Sequence, residues 1–330
     1  MSSFKVSVIV PVYNAENYIE SALSSLLMQS LDDIEIIIIN DGSTDNSLSL
    51  IKKLLDRNVN GKKHITLISR ENKGVAATRN QGLKIAQGDY IIHFDSDDWV
   101  DKNWLKILYE KAIEDNSDIV ICDYYSVYNK KKIYTQQQVH SSILENIKLL
   151  LVGKISNMNW DKLVRRTIIT ENNIQYIENI NMGEDFLLTL MSFFYSHKIS
   201  HVSKGLYYYN KTNQNSLTFK YSEKSLNDIT KITNIAEDFF IRNNYFNNIR
   251  KEFDYFKLGV RNFFIVHSNG SLKIIMRGLN LYPETNYLVK NSNSPRMLRL
   301  IFTVSEKGFL FLCKPICLLY LVYHKIRSNS

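Results

Sequence analysis

An α/β fold, a doubly wound and mostly parallel sheet with helices on both faces, is the architecture this 330-residue sequence predicts, with a helical C-terminal region after it. Short apolar runs in the N-terminal third are continuous rather than alternating, as in parallel strands covered on both sides. Stretches of helical period separate them, and that alternation builds a doubly wound sheet. Length agrees: at about 150 residues per domain the chain holds two units, or one large unit with an appendage.

The elements follow in order. Val6–Val10 is the first strand and Ala15–Gln29 the first helix, with Asn14 or Asn17 available as its cap. Ile34–Ile39 is the second strand; Thr44 or Asp45 caps the helix over Ser47–Asp56. His64–Ile68 precedes a helix over Val75–Ala86, which Gly88 terminates. Tyr90–Phe94, the helix Lys102–Asp115 and the strand Ile119–Cys122 complete the alternation. Further on the pattern weakens to helices at Ile143–Val152 and Glu184–Tyr195 and a strand at His201–Tyr208. A boundary near 220 separates residues 1–220, in halves 1–115 and 116–220, from a helical, aromatic-rich region 221–330.

Composition removes several classes. Cys122, Cys313 and Cys317 cannot make a disulfide framework, and no Cys/His spacing resembles a zinc site, which suits a reducing compartment. The opening MSSFKVSVIVPVYN has no basic region ahead of its apolar stretch, so it does not read as a signal peptide. Net charge is +8, but residues 290–330 hold seven basic groups against Glu306, leaving 34 basic and 32 acidic side chains in the rest. A nucleic-acid-binding body would carry a basic stripe of its own, so no nucleic acid is expected. Within that tail Phe309–Tyr323 is apolar apart from Lys314 and Pro315. It is short of the ~20 residues that span a bilayer. Basic flanks favour a segment lying in the interface of an anionic membrane; packing on the catalytic unit is the competing reading.

The chemistry-bearing residues stand where open parallel sheets bind ligands, beyond the carboxyl ends of the strands. Pro11-Val12-Tyr13-Asn14 follows the first strand, Asn40-Asp41-Gly42-Ser43-Thr44-Asp45 the second and Asp95-Ser96-Asp97-Asp98 the fourth. No Gly-x-Gly-x-x-Gly and no Gly-x-x-x-x-Gly-Lys-Ser/Thr is present, which argues against dinucleotide dehydrogenases, P-loop enzymes and nucleotidyltransferases. Carboxylates at i and i+2 after a buried strand can share one Mg²⁺ or Mn²⁺ that keeps phosphate oxygens as further ligands. The alternative for Asp97 or Asp98 is a helix cap. Asp41 can accept a uracil N3–H or a ribose hydroxyl, or simply form a turn.

VSVIVPVYNAENYIESALSSLLMQS, IIIINDGSTDNS and ENKGVAATRNQGLKIAQGDYIIHFDSDDW resemble, in order and spacing, the nucleotide-binding half of the family 2 glycosyltransferases. NWDKL (Asn159–Leu163), GEDF (Gly183–Phe186) and, more loosely, YYYNKTNQNSLT (Tyr207–Thr218) resemble acceptor-half motifs of their bacterial capsule and lipopolysaccharide members. The resemblance implies a GT-A fold and assigns roles. Pro11, Tyr13 and Asp41 line the uridine pocket, Arg79 lies near the nucleotide, Asp95 contacts ribose or metal and Asp97 ligates Mn²⁺ or Mg²⁺. Asp185 is the general base, with Glu184 beside it.

One base opposite the leaving group implies single displacement with inversion. Trp160 is a candidate to stack on the acceptor, or else core. Lys162 is a candidate phosphate contact, or else solvated, and Lys211 is a further acceptor-side candidate. His93 is expected to be a core histidine, and the tyrosines at 124–125 and 207–209 mostly packing. The expected protein is a metal-dependent transferase moving sugar from a UDP-sugar to a glycan, lipid-linked acceptor in cell-surface polysaccharide synthesis. Its expected place is the cytoplasmic face of the membrane, bound peripherally. A processive synthase is disfavoured by the missing Gln-x-x-Arg-Trp motif. The rival from another class is a non-catalytic nucleotide-sugar-binding or scaffold protein on the same fold.

Overall fold

The computed structural model describes residues 4–57, 63–180, 182–213, 222–268, 270–290 and 296–329, with side chains through Leu319. The chain divides into two compact units, 1–220 and 221–330. In the first, β1 (Val6–Val12), α1 (Ile19–Leu27), β2 (Ile34–Asp41), α2 (Ser47–Arg57), β3 (His64–Arg70), α3 (Val75–Ile85) and β4 (Tyr90–His93) alternate as expected. After them come β5 (Trp99–Val100), α4 (Trp104–Asp115), β6 (Ile119–Val127), β7 (Lys132–Thr135) and α5 (Ile143–Leu151). β8 (Lys162–Arg165), α6 (Arg166–Glu171), α7 (Glu184–Tyr195) and β9 (Ile199–Asn210) complete the unit.

The sheet order is β3-β2-β1-β4-β8-β6-β9-β5, with β7 on β6. β1 to β4 are parallel, as are β6 and β9. The four-residue β8 has no signal of its own in the sequence. It runs antiparallel to both β4 and β6 and joins the two halves of the sheet.

Alternate residues of the continuous apolar strands serve the two faces. Val6, Val8, Val10 and Val12 pack in one cluster with Ile19, Leu23 and Leu26 of α1 and Leu105 and Leu108 of α4. Ile9 points the other way, where α3 comes so close that a Cβ on Gly82 would stand 2.4 Å from Ile9 Cγ2. Only glycine allows this approach. The first helix starts at Ile19 rather than Ala15, because Asn14 turns the chain at φ 48° and Ala15 N donates to Ser47 Oγ at 2.8 Å.

The second unit is helical: α8 (Glu223–Arg242), α9 (Arg250–Val266), α10 (Leu272–Asn280), α11 (Asn286–Val289), α12 (Arg296–Glu306) and α13 (Leu310–Asn329). The apolar tail segment becomes part of α13, which continues through Pro315. Cys313 and Cys317 of α13 are buried with Ile265, Ile275, Leu298 and Ile301 of α9, α10 and α12. On its outer side Phe311 is 69% and Leu319 72% exposed. Among the described residues no helix is long and apolar enough to cross a membrane.

Candidate active site

The loops after β1 and β2 are tied together by their own side chains. Asn14 Oδ1 accepts Thr44 N at 2.8 Å, and Asn14 N donates to Ser43 Oγ at 3.0 Å. Asp41 at the end of β2 is buried. Its Oδ1 takes Lys73 N at 2.9 Å and Arg70 Nη1 at 2.9 Å, and its Oδ2 takes Gly74 N at 2.8 Å. The carboxylate therefore pins the loop that enters α3 and still lines the cleft through its remaining acceptor capacity.

The acidic turn after β4 separates its members. Asp98 is drawn inward, where Oδ1 accepts Asn210 N at 2.7 Å and Oδ2 accepts the Tyr207 hydroxyl at 2.8 Å. Asp95 N in turn donates to Tyr207 Oη at 3.1 Å. Asp98 is thus the anchor that joins this turn to β9, and not a helix cap. Asp95 and Asp97 are left on the cleft wall. Burial, reinforced by the Asp95 charge, raises Asp97 to about 6, against the opposing hydrogen bond from Asn213 Nδ2 to its Oδ2 at 2.7 Å.

Arg79 projects from the middle of α3 and is held by three carboxylates. Nη2 donates to Asp95 Oδ1 at 3.0 Å; Nη1 donates to Glu184 Oε1 at 3.1 Å and Asp185 Oδ1 at 2.6 Å. The expected nucleotide contact is therefore foremost an organiser that joins the acidic turn to α7. Gly183, at φ 84°, caps α7 and sets Glu184 and Asp185 in its first turn, where the helix dipole favours anions. Burial works against that charge. It pushes Asp185 up to about 8, with Arg79 opposing and Glu184 adding, and raises Glu184 as well. The two titrate as a pair.

Two acceptor-side expectations are corrected. Trp160 is 1% exposed and stacks on Tyr207, centroids 4.2 Å apart, with Tyr124 edge-on at 4.8 Å. It is core, and no face is open to a sugar. Lys162 is neither a phosphate contact nor solvated: 2% exposed, it donates to Asp161 Oδ1 (2.6 Å), Met158 O (2.7 Å) and Ser156 O (2.8 Å). Burial demands such partners for an ammonium, and the residue staples the 156–162 turn. Lys211 lies with its Nζ 3.9 Å over the Tyr209 ring, and Tyr209 lines the cleft. His93 is buried, with Nε2 3.1 Å from the Tyr176 hydroxyl, and desolvation holds its pKa well below the usual value.

Pro11, Tyr13, Asp41, Arg79, Asp95, Asp97, Glu184 and Asp185 all line one cleft of about 680 Å³. The site also enlists Asn159, Tyr207 and Asn213, to which sequence reasoning assigns no chemistry. Asn159 lies within the NWDKL motif, and the other two within or just past the tyrosine run. A family model for glycosyl transferase family 2 matches residues 7–176.

The chain belongs to that family.

It is a glycosyltransferase of GT-A fold. The cholesterol galactosyltransferase of Borreliella burgdorferi is 31% identical over 299 residues, covering 83% of this chain and 80% of that protein. The poly(ribitol-phosphate) β-N-acetylglucosaminyltransferase TarS of Staphylococcus aureus is 30% identical over 207 residues, 62% of this chain and 35% of TarS. The structure of S. aureus TarS 1–349 in complex with UDP-GlcNAc superposes with a TM-score of 0.71 over 96% of this chain and 91% of that one, at 21% identity. The mannosyltransferase PcManGT of Pyrobaculum calidifontis, in complex with GDP-Man and Mn²⁺, gives 0.57 over 97% and 88%, at 14% identity.

Proposed function

We propose that this glycosyltransferase moves a sugar from a UDP-sugar to a glycan hydroxyl with inversion and with the help of a divalent cation. One observation carries the reading: Asp185 and the Asp41–Asp95–Asp97 set line the same cleft. In this reading Pro11, Tyr13 and Asp41 hold the uridine. Asp95 and Asp97 would hold Mn²⁺ or Mg²⁺. Their fit rests on the donor set: two crowded carboxylates, oxygen donors only, with room for phosphate oxygens. When bound, the cation supplies Lewis-acid stabilisation of charge on the departing diphosphate. Asp185 takes the acceptor hydroxyl's proton as the new C1–O bond forms, and the C1–O bond to phosphate breaks with its electron pair leaving on UDP.

UDP binding tests the donor site without knowledge of the acceptor. Calorimetry should show UDP bound in Mn²⁺ and much more weakly without it. Binding of GDP but not UDP would overturn the donor class.

The acceptor is proposed to be lipid-linked and the product a cell-surface glycan of the capsule or lipopolysaccharide kind, made at the cytoplasmic membrane face. Support comes from the outer side of α13, where Phe311, Leu318 and Leu319 are exposed with Phe309 just before the helix, and from the basic excess of residues 290–330. A relative named for a cholesterol acceptor is in keeping with this. The protein should co-sediment with phosphatidylglycerol vesicles at low salt and much less with phosphatidylcholine, and Phe311→Glu with Leu319→Glu should cut binding about tenfold. Equal, weak sedimentation with both lipids would sink the membrane part of the reading.

A further inference from the structure

We infer that Asn159 is the positioning residue of the base, clamping one oxygen of Asp185 so that the other receives the acceptor's proton. The inference rests on Asp185 being that base. Asn159 stands in the turn before β8 and is buried. Both hydrogens of its amide are committed: Nδ2 donates to Asp185 Oδ1 at 2.7 Å and to the Tyr176 hydroxyl at 2.5 Å. Its Oδ1 accepts the Thr189 hydroxyl at 2.9 Å, so the amide cannot flip without losing all three bonds.

Its partners are themselves fixed. Tyr176 is clasped through its backbone by Asn80, with Asn80 Nδ2 donating to Tyr176 O at 2.8 Å and Tyr176 N to Asn80 Oδ1 at 2.8 Å. Thr189 lies one helical turn beyond Asp185 on α7. The clamp therefore runs from α3 through Tyr176 and Asn159 to α7.

Its consequence is asymmetry within one carboxylate. Asp185 Oδ1 receives two donors, Asn159 Nδ2 and Arg79 Nη1 at 2.6 Å, whereas among the described residues no hydrogen bond reaches Oδ2. A doubly engaged oxygen is the poorer proton acceptor, and the free one is the base. Arg79 alone could not fix this choice, because the same Nη1 is shared with Glu184. Asn159 supplies the second direction that sets the carboxylate plane.

The test uses the full chain labelled with ¹³C at the aspartate side-chain carboxyls, the Asp185 resonance being assigned by its loss in Asp185→Asn. Donor hydrogen bonds favour the ionised form, so Asn159→Ala should raise the Asp185 midpoint by about one pH unit. It should lower UDP release from UDP-N-acetylglucosamine in Mn²⁺ about 10–100-fold near pH 7, as loss of positioning does, with UDP affinity unchanged within about threefold. Thr189→Val, nearly isosteric, should move both readouts the same way and less, and it serves if Asn159→Ala fails to fold. A purely structural Asn159 would lower the melting temperature and leave the midpoint in place. That result, with turnover abolished in Asp185→Asn, overturns the clamp alone. Turnover persisting in Asp185→Asn removes the base itself, and the inference with it.

Discussion

Asp185→Asn is expected to lower sugar transfer about 10²–10⁴-fold, the contribution typical of a general base, while UDP affinity in Mn²⁺ stays within about threefold. The substitution suits this site. The asparagine oxygen can still accept from Arg79 Nη1 and Asn159 Nδ2, which now meet at Asp185 Oδ1. Only the proton-accepting oxygen is replaced, by an amide nitrogen. The pH profile gives a second readout. A base works deprotonated, and burial pushes Asp185 up to about 8, so transfer should climb as pH rises through the pair's apparent pKa and level off above it. That climb should vanish from any residual activity of the variant. Turnover unchanged at every pH would move the base elsewhere, and Glu184, 3.1 Å from the same Arg79 nitrogen, would be the next candidate.

Asp97→Ala is expected to abolish the Mn²⁺-dependent part of UDP binding, weakening it about 100-fold or more, with metal-free binding left as it was. The reason lies in how the acidic turn is divided. Asp98 is spent on Tyr207 and Asn210, and one oxygen of Asp95 on Arg79. Among the described residues the only side-chain hydrogen bond to Asp97 comes from Asn213, and burial with the Asp95 charge raises its pKa against the weaker pull of Asn213 and Lys211. It is thus the carboxylate with most to gain from a divalent ion. Asp98→Asn makes a useful contrast: it should cost stability through the Tyr207 anchor. Calorimetry with and without Mn²⁺ decides the matter. A variant that still binds UDP more tightly in Mn²⁺ than in chelator would take Asp97 out of the metal site.

The parallel half of the fold is legible in the sequence because its signals are local. Continuous apolar strands such as Ile34–Ile39 and helix-period stretches such as Val75–Ala86 can each be read from a few neighbouring side chains. Strand ends also reveal which residues face a ligand, so Asp41, Asp95 and Asp97 are candidates by their place in the sequence alone. β8 is not legible in this way. Four residues carry too little pattern, and their pairing with β4 and β6 comes from partners far along the chain.

The same distinction runs through the site. By itself the sequence determined the family, the acidic turn, and the Glu184–Asp185 pair at a helix start. Tertiary structure alone decided what those groups do to one another: Arg79 sits between carboxylates 16, 105 and 106 residues away in the chain. It also took Trp160 and Lys162 out of the acceptor's reach and made Asn159 a partner of Asp185. Residue type states what a side chain can donate, accept or bury. Whether it meets solvent or a partner depends on which distant segments fold against it, and burial then sets the charge each group carries.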